Sequence, residues 1–258
     1  MDQQKIAIVT GSTQGLGEAI ARHLVAEVMV SGLVICGRNA ENGGRLAAEL
    51  MRSGCQTEFV TADLTRVEDC RQVVETASRV FGRVDYLVNS AATSERGTIL
   101  DSTPEVFDRI MALNVRAPFF LMQWALRLMF DTGNAGSIVN IISMSSHGGQ
   151  SFLCPYATSK GALVTLTKNV ANSVIKKRIR VNGLNLGWMD TPGEDAIQKR
   201  FHGASDGWLP AAEQSQPFGR LVKPDEVAKV VAFLLSERSG LMTGSIIDFD
   251  QNIVGTYS

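Results

Sequence analysis

The 258-residue chain has few of the side chains from which metal sites, disulfide frameworks and hydrolytic triads are built. Its four cysteines, Cys36, Cys55, Cys70 and Cys154, are scattered, and none forms a C-x-x-C pair. That spacing argues against metal ligation and against a disulfide framework, and it fits reduced packing thiols. There are three histidines, His23, His147 and His202, and no G-x-S-x-G elbow, so a Ser-His-Asp hydrolase fits poorly. A surplus of one charge is also missing. The formal net charge is -1, with no basic stripe for nucleic acid and no polybasic or acidic tail. The longest apolar region, Val28 to Cys36, is broken by Ser31 and Gly32 and is too short to span a bilayer. The N-terminus runs into Lys5-Ile-Ala-Ile-Val-Thr10 without the basic region and long apolar stretch of a signal peptide. The expectation is a cytoplasmic protein with no metal, no membrane and no nucleic acid partner.

What is present is a substantial core: 45% of residues are hydrophobic and 20% charged, which excludes global disorder. Short runs rich in Val, Ile or Phe occur at Ile6–Thr10, Leu33–Cys36, Thr57–Thr61, Tyr86–Asn89, Ser137–Ser143, Arg180–Leu186 and Ser245–Phe249. They suit strands buried on both faces. Between them, helical periodicity covers Leu16–Val28, Ala40–Arg52, Val67–Phe81, Pro104–Phe130, Tyr156–Lys176 and Asp225–Leu235. Ser102 or Thr103 before Pro104 reads as a helix start, as does Lys223-Pro224-Asp225-Glu226. This alternation predicts an α/β fold with a parallel sheet, right-handed crossovers and helices on both faces. Ligands in such sheets bind beyond the carboxyl ends of the strands. No repeat or linker marks a second domain, so residues 1–258 are expected to form one. The polar stretch Trp188 to Pro217 has weak periodicity, and its length suggests a substrate lid. The alternative is a short helical excursion covering the sheet edge.

Two motifs carry chemistry. Thr10-Gly-Ser-Thr-Gln-Gly-Leu-Gly17 falls between the first strand and the first helix. Glycines let a backbone turn tightly against a pyrophosphate, and free N–H groups at a helix start favour its charge. At the end of the second strand, an acidic residue would accept from ribose hydroxyls. Gly37 holds that place here, with Arg38 beside it. A guanidinium pairs with a 2′-phosphate, which favours NADP(H) over NAD(H). A solvated or adenine-stacked arginine is the alternative. Asp63, before Leu64, either accepts from the adenine amine or caps the next helix.

The second motif is Pro155-Tyr-Ala-Thr-Ser-Lys160, with Ser143 thirteen residues before Tyr156. A free tyrosine has a pKa near 10 and needs perturbing to act as acid or base. A lysine four residues on shares its helical face, and its charge favours the tyrosinate. Ser143 can hold a substrate oxygen beside Tyr156. Asn114, inside the fourth helical stretch, can support a water chain to Lys160. Each feature alone has a structural reading; their order along one α/β chain makes coincidence improbable.

On these residues the chain resembles the short-chain dehydrogenase/reductase family over essentially its full length. The likeness rests on the glycine turn, Asp63-Leu64, Asn89, Asn114, Ser143, Tyr156, Lys160, the Gly187–Thr191 turn and the C-terminal Thr-Gly-Ser-Ile-Ile-Asp-Phe-Asp run. The resemblance implies a Rossmann-type, doubly wound sheet of about seven strands in three α/β/α layers. It implies a homotetramer or homodimer packed through two long helices. It assigns Tyr156 as general acid/base and Lys160 as the group that lowers its pKa and binds the nicotinamide ribose. Ser143 would orient the carbonyl or hydroxyl, and Asn114 would complete the proton relay. Cofactor contacts are implied at Gly11, Ser12, Gln14, Gly15, Leu16, Gly17, Arg38, Asp63, Leu64, Asn89, Ala91, Tyr156, Lys160, Gly187 and Thr191. Three motifs depart from the family pattern. Asn-Ser-Ala-Ala at 89–92 replaces N-N-A-G, Leu186-Gly187 replaces Pro-Gly, and Asp248-Phe-Asp-Gln-Asn252 replaces a D-G-G ending.

The implied activity is NAD(P)-dependent interconversion of a secondary alcohol and a carbonyl on a small molecule. Candidate substrate neighbours are Ser143, Ser145, His147, Gln150, Tyr156 and Trp188. Thr93–Arg96 and a lid carrying Glu194, Lys199, Arg200, His202 and Trp208 extend the set. Their polarity suits a sugar, a polyol or an anionic sugar derivative, the last through Lys199-Arg200-Phe201-His202. Alternatives are a 3-oxoacyl-thioester or other ketone reductase, and a non-catalytic NADP(H)-sensing regulator.

Overall fold

A computed structural model describes residues 5–27 and 29–256. Seven strands form one parallel sheet: β1 (Ile6–Thr10), β2 (Gly32–Gly37), β3 (Gln56–Thr61), β4 (Tyr86–Asn89), β5 (Ser137–Ile141), β6 (Arg180–Leu186) and β7 (Ile246–Phe249). Their order is β3-β2-β1-β4-β5-β6-β7. Chain order therefore reverses between β1 and β4, where a crevice opens at the carboxyl edge. Among the described residues, nine α-helices flank the sheet: α1 (Gly15–Ala26), α2 (Ala40–Arg52), α3 (Val67–Phe81), α4 (Pro104–Met111), α5 (Ala117–Asp131), α6 (Cys154–Val174), α7 (Pro192–His202), α8 (Trp208–Gln214) and α9 (Pro224–Leu235). This is the doubly wound, three-layer Rossmann-type architecture. No helix among the described residues is long and apolar enough to cross a membrane.

The central strands are apolar on both faces because each face is covered. Ala7, Val9 and Ile35 pack with Ile20 and Leu24 of α1 and Val227 and Val231 of α9. Ile8, Val34 and Leu87 pack on the other face with Val73 of α3 and Leu121 of α5. The amino edge of the sheet is pinned by Asp85, whose buried carboxylate accepts from Ile6 N at 2.9 Å and from Arg83 Nη2 at 2.6 Å. Arg180 donates to the Leu234 and Leu235 carbonyls at 2.7 and 3.0 Å. It thereby satisfies groups that the end of α9 leaves open.

Three boundaries differ from the periodicity in ways that shape the site. The stretch Pro104–Phe130 is not one helix: a π-helical turn, Ala112–Arg116, separates α4 from α5. The Ala117 N–H bonds back to the Ala112 carbonyl, and Pro118, lacking an N–H, cannot donate to Asn114 in α-helical register. β5 stops at Ile141, so Ser143 stands beyond the strand and caps a 3₁₀ turn, Met144–His147. Residues 188–217 hold two short helices, α7 and α8, which the weak periodicity did not resolve. The first helix ends at Ala26; Val28, its expected end, lies outside the described residues.

Candidate active site

A cleft of about 2250 Å³ lies over the carboxyl ends of the strands. It is walled by the glycine turn, the strand exits and α7. Gly11, Gln14, Gly15, Leu16, Gly17, Arg38, Asp63, Leu64, Ala91, Ser143, Ser145, His147, Gln150, Tyr156, Lys160, Gly187, Trp188 and Thr191 all line it. Ser12, Asn89 and Asn114 do not.

The glycine turn is built for close approach. Gly11 and Gly15 have φ of 67° and 58°, where side chains are strained. A Cβ on Gly17 would lie 2.3 Å from the Gly11 carbonyl oxygen, and one on Gly11 would lie 2.8 Å from Ala91 Cα. Thr10 fastens this turn to the β4 exit: its hydroxyl accepts from Ser90 N and Ala91 N at 3.0 and 3.1 Å. Ser12 serves the loop from beneath. It is buried, its hydroxyl donates to the Val9 carbonyl and its N–H to the Cys36 carbonyl. Thr13, absent from the sequence expectations, faces Gly37 instead. A Cβ at position 37 would meet Thr13 Cγ2 at 2.6 Å and Oγ1 at 2.8 Å. As Thr13 sits, it fills the place where a ribose-binding side chain would start. The open glycine backbone fits a dinucleotide's pyrophosphate, and the Arg38 guanidinium stands exposed beside it.

Asp63 closes on its own chain. Its Oδ1 accepts from Thr65 N and Thr65 Oγ1 at 3.0 and 2.8 Å. The Thr65 hydroxyl, helped by the nearby Arg38, holds this carboxyl below its ordinary range. The helix-cap reading is not met: α3 starts at Val67 behind Arg66, so Asp63 makes a local turn on Thr65 while lining the cleft. Asn89 donates to Asn140 Oδ1 at 2.8 Å, and Asn140 donates to Thr167 Oγ1 at 2.9 Å. Asn89 Oδ1 is buried without a partner among the described residues.

At the reacting end α6 carries Tyr156 and Lys160 one turn apart. Lys160 is buried and donates to the Ile141 carbonyl at 2.9 Å. Its ammonium lies 5.6 Å from the centre of the Tyr156 ring. Burial lowers the Lys160 pKa to about 8. Burial also raises the Tyr156 pKa; a hydrogen bond with Ser143 and the charge of Arg96 act against this, and Glu194 adds to it. The sequence expectation had Lys160 lowering the phenol pKa. Desolvation is the largest of these influences, and the expectation for Lys160 rests on its place one turn from the phenol and 5.6 Å from the ring.

Asn114 is buried and does not line the cleft. Its side chain is fully engaged: Oδ1 accepts from Thr93 N at 2.9 Å, and Nδ2 donates to Thr93 O at 2.9 Å and Ser159 Oγ at 3.0 Å. It clamps the β4 exit loop to α6 and makes no bond to Lys160. Pro118 has no N–H, so the Asn114 backbone carbonyl receives no α-helical donor four residues on.

The substrate side is polar and mutually paired. Ser145 Oγ donates to Gln150 Oε1 at 2.6 Å. His147 Nε2 lies 3.3 Å from Asp248 Oδ1 and 3.2 Å from Asn185 Nδ2, so its ring is held towards β6 and β7. Thr191 caps α7, accepting from Glu194 N at 3.1 Å. Trp188 stacks on Trp208 at 5.8 Å and donates to Glu194 at 2.9 Å. Lys199 is spoken for: it pairs with Asp195 and Asp206 at 2.9 and 2.8 Å and does not line the cleft, which removes it from the anion-gripping run. The altered C-terminal motif has a visible task. A Cβ on Gly187 would lie 1.9 Å from Asp250 Oδ1, and Gln251 bonds Phe218 N and the Arg220 carbonyl at 2.8 and 2.6 Å. The tail thereby ties β7 to the segment after α8.

Residues 11–251 match the family described as enoyl-(acyl carrier protein) reductase. Over 249 residues the chain is 35% identical to dehydrogenase/reductase SDR family member 4 of Oryctolagus cuniculus, covering 94% of this chain and 91% of that protein. The chain belongs to the short-chain dehydrogenase/reductase family. It is accordingly an oxidoreductase of the C–OH/C=O couple. Among solved structures, this dehydrogenase/reductase is similar to an actinorhodin polyketide ketoreductase variant with NADPH. The TM-score there is 0.90 at 27% identity, over 100% of this chain and 99% of that one. It is also similar to L-sorbose reductase from Gluconobacter frateurii, complexed with NADPH and L-sorbose. That match has a TM-score of 0.89 at 30% identity, over 98% of each chain.

Proposed function

We propose that this short-chain dehydrogenase/reductase interconverts a secondary alcohol and a ketone of a sugar or polyol, using NADP(H) in preference to NAD(H). The observation that carries the reading is the convergence of Ser143, Tyr156 and Lys160 on one cleft with the glycine turn. When bound, the dinucleotide supplies or removes the hydride at the carbonyl carbon. Everything else falls to the chain. Ser143 and Tyr156 hold the carbonyl oxygen. In reduction, Tyr156 gives that oxygen its proton as the carbon gains the hydride; in oxidation, the proton returns to Tyr156. Lys160, fixed by the Ile141 carbonyl, places positive charge beside the ring and lowers the cost of the tyrosinate. Arg38, with no carboxylate at Gly37, meets the 2′-phosphate. The lid reading of residues 188–217 is retained, because α7 contributes Glu194, Gln198 and His202 to the cleft wall. A cytoplasmic homotetramer or homodimer belongs to the same reading, supported by exposed Phe107 of α4 and Phe119 and Phe130 of α5.

Support for a sugar or polyol comes from the polar cleft wall and from the sorbose complex of the structural relative. The decisive experiment is steady-state rates with NADP and NAD over a panel of polyols, ketoses and 3-oxoacyl thioesters, repeated with Tyr156→Phe. Turnover that is strongest on ketoses and lost in the variant supports the reading. Preference for thioesters favours the acyl reductase. Cofactor binding without turnover, unaffected by Tyr156→Phe, favours a sensor.

A further inference from the structure

Arg96 and Glu194 sit together in the wall of the cleft that holds Tyr156, and neither is used by the hydride-transfer machinery. Arg96 leaves the β4 exit loop; Glu194 lies in the first turn of α7. Their side chains are 13% and 17% exposed, and Arg96 Nη2 is 3.8 Å from Glu194 Oε1. That is an ion pair without a hydrogen bond. Both groups are held in place by other partners. Arg96 donates through Nε to His202 at 3.0 Å and through Nη1 to the Ser94 carbonyl at 3.0 Å, with its plane over Phe152 at 5.5 Å. Glu194 Oε1 accepts from Trp188 Nε1 at 2.9 Å and Gln198 Nε2 at 2.7 Å. Arg96 Nη2 and Glu194 Oε2 make no hydrogen bond among the described residues. An unfilled donor on Arg96 and an unfilled acceptor on Glu194 therefore belong to one loosely joined ion pair in the cleft wall.

We infer that Arg96 and Glu194 form a clamp for one uncharged hydroxyl on the carbon next to the reacting carbonyl. The substrate class is thus a neutral α-hydroxyketone, with the vicinal diol as its reduced form. The hydroxyl accepts from Arg96 Nη2 and donates to Glu194, an arrangement a methyl or a carboxylate cannot reproduce. Arg96, Glu194 and Tyr156 line the same cleft, and both charges act on the phenol. The pair is neutral overall, and Glu194 already raises the phenol pKa, so a second carboxylate here is opposed. This inference rests on the hydride-transfer reading and narrows its substrate.

The test is kcat/KM with NADPH for four ketones: erythrulose, hydroxyacetone, butanone and pyruvate. Hydroxyacetone and butanone have nearly the same shape, so their ratio isolates the hydroxyl. The expected ratio in the wild type is on the order of 30-fold or more, because the lost bonds are to charged groups. Pyruvate is expected to react no faster than butanone. Arg96→Leu and Glu194→Leu each bring the ratio close to one; Arg96→Lys and Glu194→Gln retain part of it. A ratio taken on one preparation does not depend on how much of it is folded. If both leucine variants slow all substrates equally, the pair is only a tether for α7 and the clamp is overturned. It is equally overturned if the wild type turns over butanone or pyruvate as well as hydroxyacetone, in a Tyr156-dependent way, while the hydride-transfer reading stands. No turnover of any of the four, with NADPH bound, overturns the clamp and the sugar or polyol reading together.

Discussion

The two walls of the cleft are made differently. The sheet wall takes its groups from strand exits and from α6, and it fixes them by burial: Lys160, Asn114 and Ser159 are inaccessible or nearly so. The wall at residues 188–217 takes its groups mainly from α7 and the turn before it, and α7 has no buried side chain. It fixes them by exposed pairs such as Lys199 with Asp195 and Asp206 and by the stacked Trp188 and Trp208. Burial gives positions that cannot drift and pKa values far from water's. Surface pairs are worth little each and can reform around different ligands. The first wall suits a step that must not vary, and the second suits selection.

That contrast can be broken at several points. The largest effect is expected at Tyr156→Phe: kcat falls by about 10³-fold or more, while NADPH affinity, read by fluorescence titration, changes little. An equal loss of affinity would mean the ring serves binding and not proton transfer. Gly17→Ala forces a Cβ to 2.3 Å from the Gly11 carbonyl. It should abolish tight cofactor binding and cost on the order of 2 kcal/mol or more in denaturant unfolding. Lys160→Met offers a sharper test, because activity and stability should move in opposite directions. Depressing the lysine pKa from 10.5 to about 8 means the native state penalises the ammonium by on the order of 3 kcal/mol. The unfolded chain binds more protons between pH 8 and 10.5, so this group makes the wild type more stable as pH rises through that window. Lys160→Met should lose most turnover, raise Tm at pH 7, and lack the rise. In the reducing direction, kcat/KM should fall above about pH 8 as Lys160 loses its charge. The phenol, with its raised pKa, stays protonated there.

Smaller effects are expected from the rim of the cleft. Arg38→Ala should lower the NADP over NAD preference by about tenfold, the worth of one charge-assisted contact. An unchanged preference would remove Arg38 from the cofactor argument. Trp208→Ala, which unstacks Trp188, should raise KM a few-fold with kcat and Tm nearly unchanged. A large fall in kcat instead would place this wall in the chemistry.

Much of the sheet wall was legible in the sequence. Strands buried on both faces leave continuous Val and Ile runs, and the glycines at 11, 15 and 17 and the Tyr156/Lys160 pair mark their places by spacing alone. The misreadings share one physical cause: side-chain direction. Ser12 and Thr13 are adjacent, yet Ser12 bonds beneath the loop and Thr13 faces Gly37, and no local pattern tells them apart. Asn114 reads as a helical amide, but its bonds to Thr93 and Ser159 come from segments 21 and 45 residues away. Pro118 was the one available signal of the π turn, since it cannot donate four residues back. The α7 region was unreadable because its helices are short and its polar residues pair with one another.

By itself the sequence determined the parallel α/β plan, the position of the dinucleotide turn and the identity of the phenol and ammonium. All of these follow from local periodicity and backbone permission. Only the tertiary structure decided that burial raises the Tyr156 pKa and lowers that of Lys160. It alone decided that Asn114 is a clamp, and that Arg96 and Glu194 face each other across the cleft. Desolvation and long-range pairing are properties of what surrounds a residue, and the surroundings exist only once the chain is folded.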